Sequence, residues 1–141
     1  MAARFHLIVD GSGTPAIKEI VSGDVLDLTG LQVKLGTEAT LTDGSTVAWD
    51  VSASPIAKLT LGGNRTLSAP TNAVGSGQYI SLLVIQDGTG SRTLTWNAAY
   101  EFTADTAPTL TTTASKGDLF TFRYNGSKWL EVGRNLNLTL S

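Results

Sequence analysis

The chain has 141 residues, enough for one domain with a real core, and it has no cysteine, which excludes a disulfide framework and a thiolate metal site. A formal net charge of −2 leaves no electrostatic footprint for nucleic acid or an anionic membrane. Apolar residues at 41% against charged residues at 16% describe a folded chain whose surface is solvated by hydroxyls and amides more than by charges.

Residues 4–9 (Arg-Phe-His-Leu-Ile-Val) read as a strand that stops at the turn Asp10-Gly-Ser-Gly13. This apolar run is too short for a signal peptide or a membrane span, which predicts no export route of its own. Residues 16–21 read as a second short strand closed by Ser22-Gly23-Asp24. Over 24–40, Val25, Leu26, Leu28 and Leu31 fit either an extended segment or one helical turn. Residues 1–40 are therefore expected to form an arm or small subdomain used for particle attachment.

Asp43-Gly44 satisfies the positive φ of a tight hairpin turn. Val47, Trp49 and Val51 then alternate onto one face, as do Leu59 and Leu61. Gly62-Gly63-Asn64 reads as a turn, and residues 71–77 as a polar loop. Residues 79–86 differ: Tyr79, Leu83 and Ile85 fall on one side, and Ile80, Leu82 and Val84 on the other. That is the pattern of a central strand covered on both faces. After Asp87-Gly-Thr-Gly90, alternation resumes at 92–96 and again at 119–124, where Phe120, Phe122 and Tyr124 share a face. Asn125-Gly126 reads as a hairpin turn, and residues 135–141 as a C-terminal strand or arm.

No dozen-residue window keeps a helical apolar stripe, and no 20–50-residue period repeats, which argues against a solenoid. The expectation is an all-β fold, an antiparallel β-sandwich or jelly-roll-like barrel over 41–134, with an extended N-terminal arm.

Chemistry-bearing constellations are scarce. His6 is the single histidine and lies in an apolar strand pattern, so no Ser/His/Asp arrangement or transition-metal site is expected. Asp24 and Asp27 form a close carboxylate pair beside glycines and read as turn formers rather than a glycosidase pair. Asp87 lacks the ligand spacing of a calcium loop, and Gly88-Thr-Gly90 lacks the third glycine and following helix of a dinucleotide site. The acceptor triplets starting at Asn64, Asn125 and Asn137 read as accidents of composition. Arg65, Arg92, Arg123 and Arg134 are dispersed and suit inter-subunit or loop hydrogen bonding. Among the aromatic residues, core packing is the plain reading, and Tyr100 and Trp129 are the candidates for stacking on a glycan. No catalytic, metal or cofactor residue is expected.

The run Leu59-Thr-Leu-Gly-Gly-Asn-Arg-Thr-Leu67, then Pro70 and Asn72, then Tyr79 through Gln86-Asp-Gly-Thr-Gly-Ser-Arg-Thr-Leu-Thr-Trp96, resembles a β module of tailed-bacteriophage virion structural proteins. Ala107–Ala114, Asp118–Phe120 and Tyr124–Trp129 continue the likeness, which covers 42–134, and Lys18–Asp24 resembles the start of small phage structural proteins. The resemblance implies a non-enzymatic virion protein, made in the host cytoplasm and presented on the particle surface as a homotrimer. The short chain favours a capsid decoration (cement) protein that binds the major capsid protein or another virion subunit. A tail, baseplate or fibre protein is the first alternative, and a carbohydrate-binding module that attaches to host glycans is the second.

Overall fold

The computed structural model describes residues 7–9, 15–17 and 36–140. The chain divides into two compact units, Met1–Val33 and Lys34–Ser141. In the first, β1 (Leu7–Val9) pairs antiparallel with β2 (Pro15–Ile17), Leu7 opposite Ile17 and Val9 opposite Pro15. The expected turn at 10–13, His6, the pair Asp24 and Asp27, and the ambiguous segment up to residue 35 lie outside the described residues.

Among its described residues the second unit is all-β apart from one 3-10 turn at Thr103–Asp105. Its strands are β3 (Ala39–Thr40), β4 (Thr46–Val47), β5 (Ile56–Leu61), β6 (Arg65–Leu67), β7 (Tyr79–Gln86), β8 (Leu94–Trp96), β9 (Tyr100–Glu101), β10 (Lys116–Tyr124) and β11 (Trp129–Thr139). They form a six-stranded sheet in the order β3-β5-β7-β10-β11-β9 and a three-stranded sheet in the order β4-β6-β8.

The chain thus lays one strand in the large sheet, crosses to the small sheet, and returns, three times over. Within each sheet the successive strands are parallel: β3 with β5, β5 with β7, β4 with β6, and β6 with β8. This is a β-solenoid-like winding rather than the antiparallel sandwich or jelly-roll expected from the alternation. The last coil is followed by an antiparallel hairpin, β10 beside β7 and β11 beside β10, with β9 parallel to β11 at the edge.

Local chemistry explains both the fit and the misreading. Asp43-Gly44 and Gly62-Gly63-Asn64 do turn the chain, but they turn it from one sheet into the other, as corners, not back onto the same sheet. Asn125-Gly126 is a true hairpin: Tyr124 pairs with Trp129, and the Asn125 Oδ1 accepts from the Ser127 and Lys128 amides at 2.9 and 2.7 Å. The coils are unequal in length, since Ala39 lies opposite Ala57 while Ile56 lies opposite Ser81, and Arg65 lies opposite Leu94. Unequal coils erase any fixed sequence period.

Side chains fasten the corners. Arg65 donates from Nε and Nη2 to the two carboxylate oxygens of Asp43, both at 2.6 Å, tying the first coil to the second. Asn64 Oδ1 then accepts from the Thr93 amide of the third coil at 3.1 Å. At the opposite corner Asn72 donates to Asp50 at 2.9 Å, and the Thr71 amide donates to the Trp49 carbonyl at 3.0 Å.

Between the sheets lies the core. Val47, Trp49, Val51, Leu59, Leu61, Leu67, Ile80, Leu82 and Val84 are all buried, so the apolar faces read from alternation are the inward faces. Trp49 also places its indole N–H on the Ser54 carbonyl at 2.9 Å. Under β10, Phe120 and Phe122 join Trp96, Tyr100 and Phe102 in a cluster of mostly edge-to-face rings, with Trp96 5.0 Å from Phe120 and 5.2 Å from Phe102. The segment expected as a separate strand or arm at 135–141 continues β11 up to Thr139.

A candidate interaction surface

Strand β7 is buried on one face only. Ile80, Leu82 and Val84 point into the core, whereas Leu83 and Ile85 are half-buried and Tyr79 is 50% exposed. The neighbours of these outward residues follow from the register. Leu83 lies between Lys58 of β5 and Leu119 of β10, and Ile85 between Thr60 and Gly117. A Cβ at Gly117 would meet Leu83 at 3.1 Å and Leu140 at 2.9 Å, so these two leucines close over the glycine. The outer face of the large sheet is therefore an apolar strip, Ile56, Tyr79, Leu83, Ile85 and Leu119, bordered by Ser81, Thr60 and Thr121.

Two depressions bound the strip. At the start of β7, a hollow of about 120 Å³ is lined by Pro55, Ile56, Tyr79, Ile80, Ser81 and Thr121. At its far end, an open cleft of about 610 Å³ runs between Ile85, Asp87, Ser115, Lys116 and Leu140. The Asp87 carboxylate beside that cleft accepts from the amides of Thr89 and Gly90 and from Arg92. The Arg92 bond, with those amides, holds its carboxyl below the usual carboxylate range. Asp87 is thus a turn-forming, ion-paired residue, as its spacing suggested.

Lys58, opposite Leu83 on the strip, is ion-paired with Glu38 at 3.3 Å. Arg123 stands exposed at the end of the strip, opposite Tyr79 on β7. Among the described residues the other three arginines are engaged, Arg65 with Asp43, Arg92 with Asp87, and Arg134 with Glu131. Arg123 has no ion-pair partner among them.

The two glycan-stacking candidates are not on this surface. Tyr100 is 4% exposed, with its ring edge-on to Trp96 at 5.3 Å and to Phe122 at 5.1 Å. Burial pushes its phenol well above the usual range. Trp129 is 2% exposed and packs on Tyr124 at 4.7 Å. Neither ring offers a free face to a sugar, because each lies on the inward side of its strand. Among the described residues Tyr79 is the exposed aromatic residue instead. Its membership of the Leu83–Ile85 face, rather than the core face, was the available signal. The buried Gln86, which bonds both the amide and the carbonyl of Arg92, was not singled out in the sequence, because one polar residue closing an apolar run reads as the end of a strand.

No group of His, Cys, Asp or Glu among the described residues is arranged to hold a metal. What the arrangement offers is a broad, weakly polar sheet face with an apolar centre and hydroxyl borders, a surface suited to contact with another protein.

Comparison with known sequences and structures adds one finding. Residues 37–129 match a family described as "Putative phage tail fibre C-terminal domain". No curated protein and no solved structure matches the chain.

Proposed function

The chain belongs to the phage tail fibre C-terminal domain family and is a tailed-phage virion structural protein, and from this we propose that it serves in the tail, as a structural subunit of a fibre. The match of residues 37–129 carries this reading, because it spans the parallel coils and the hairpin up to Trp129. It favours the tail over the head, so capsid decoration, expected from the shortness of the chain, yields to the fibre alternative.

The role in this reading is mechanical, without catalysis. Each coil bonds the next through parallel ladders and corner clamps, so load passes from coil to coil along the stack. The subunit works on the particle surface, in more than one copy and against another virion protein, and its outer sheet face supplies the contact area. Antibody labelling of intact virions under the electron microscope tests the location. Label along the tail or its fibres is expected. Label distributed over the head would overturn the fibre reading and restore capsid decoration.

A further inference from the structure

We propose that the cleft at the far end of β7 binds an acidic sugar, the Lys116 ammonium pairing with its carboxylate while the hydroxyl-bearing walls take the ring. Binding of this kind goes beyond the fibre reading, which concerns where the subunit sits in the virion.

Size admits such a ligand. The cleft holds about 610 Å³ and is open, which gives room for one sugar ring that continues into a chain. Its walls are fixed before anything binds. The Ser91 amide donates to the Thr112 carbonyl at 2.7 Å, and the Ser115 amide to the Asp87 carbonyl at 3.1 Å, so the 87–90 turn and the 112–115 segment are locked together. Gly90 approaches that segment so closely that an added Cβ would stand 2.8 Å from the Ala114 amide nitrogen. Ser115 itself holds a φ of 60°, a conformation that a serine rarely adopts. Backbone of this kind is concentrated at binding sites, where the surroundings impose it. Walls that need no ordering on binding lose less affinity to entropy.

Charge in the cleft is decided by two side chains. Asp87 is already engaged, because Arg92 donates twice to Oδ2 and the amides of Thr89 and Gly90 donate to Oδ1. Lys116 is not. Its ammonium donates to the Thr139 hydroxyl, and no carboxylate among the described residues forms an ion pair with it. The neighbouring Asp118 is buried and accepts from Thr111 and Asn137 instead. The cleft therefore presents one uncompensated positive charge.

Around that charge stand the hydroxyl residues Thr60, Ser115 and Thr139 and the apolar residues Ile85 and Leu140, the last 44% exposed. Sugar hydroxyls exchange hydrogen bonds with the first group, and the C–H face of a ring lies on the second. The carboxylate supplies the charge-assisted bond to Lys116. A bare anion would leave Ile85 and Leu140 uncovered, and a neutral sugar would leave Lys116 without a counter-charge.

Amide NMR titration of the isotope-labelled full chain tests this with three probes. Methyl glucuronide is expected to shift the amides of Gly88, Ser115, Lys116 and Thr139 saturably, with a Kd on the order of 1 mM. Methyl glucoside, which lacks the carboxylate, and acetate, which lacks the ring, are each expected to bind at least about tenfold more weakly. Lys116→Gln is expected to abolish the preference for glucuronide over glucoside, while signals away from the cleft stay as in the wild type. Absence of saturable shifts up to about 50 mM glucuronide overturns the proposal. So do equal affinities for the three probes, or a Lys116→Gln chain that keeps the preference. None of these results bears on the tail location, which virion labelling reads separately.

Discussion

Asp118 is buried at 2% exposure, and no cation among the described residues approaches it. Its carboxylate is satisfied by neutral donors. Oδ2 accepts from the Thr111 amide at 2.7 Å, and Oδ1 from the Thr111 hydroxyl at 2.7 Å and the Asn137 amide at 2.9 Å. One side chain therefore ties the 106–115 connection and Asn137 of β11 to β10. Asp118→Ala strands two amides and a hydroxyl and is expected to cost about 3 kcal/mol in equilibrium urea unfolding. An unchanged midpoint would mean that the three donors need no carboxylate. Gly90 makes a second residue-scale case. Its φ is 76°, and an added Cβ would stand 2.5 Å from the Thr112 carbonyl oxygen. Gly90→Ala is expected to lower stability by more than about 1 kcal/mol, whereas Gly88→Ala, with nothing within 4 Å, should have little effect. Equal melting temperatures for the two variants would contradict this reading.

Among the elements, β7 and β10 hold the unit together, since they pair over the whole run from Gly117 opposite Ile85 to Arg123 opposite Tyr79. Phe122 on β10 is fully buried against Tyr100 and Phe102. Phe122→Ala is expected to cost about 3–5 kcal/mol by denaturant titration. Val74→Ala, at a site 77% exposed, is expected to stay within about 0.5 kcal/mol. Comparable losses at the two sites would rule out the core assignment. The strands themselves were legible, because alternation reports which side chains face inward, and Val47, Trp49, Leu59 and Phe120 are all buried. Their neighbours were not. Alternation is blind to whether a strand pairs with the next strand or the next but one. A glycine corner and a glycine hairpin also use the same residues, as Gly62-Gly63 and Asn125-Gly126 demonstrate. The same blindness made residues 79–86 look covered twice, since an apolar outward face reads alike whether it meets another layer or stands half-exposed. The irregular pairing of β11 with β10, where Val132 and Leu136 stand exposed, was hidden because it depends on the partner strand.

For the whole molecule, carboxylates at the corners make acid a probe of the winding. Hydrogen bonds from Arg65 lower the pKa of Asp43, those from Ser52 and Asn72 lower that of Asp50, and those from Arg92 lower that of Asp87. A depressed folded value means that the stabilisation is complete above the unfolded value of about 4 and is lost as pH falls below it. Unfolding midpoints are expected to be flat from neutral pH to about 4.5 and to fall below about 4. A midpoint that rises on acidification would show that these clamps do not support the fold. The unequal coils carry a different consequence. Only the strands must stay in register, so a connection can lengthen without moving them. The loop before β7 is such a place, with Gly75 and Gly77 both at positive φ, open space around each, and Val74 turned outward. A foreign peptide spliced between Val74 and Ser76 would ride as cargo while Ile56 still faced Ser81. Lengthening of that kind lets the stack of coils acquire new outward sequence without redesign of its interior.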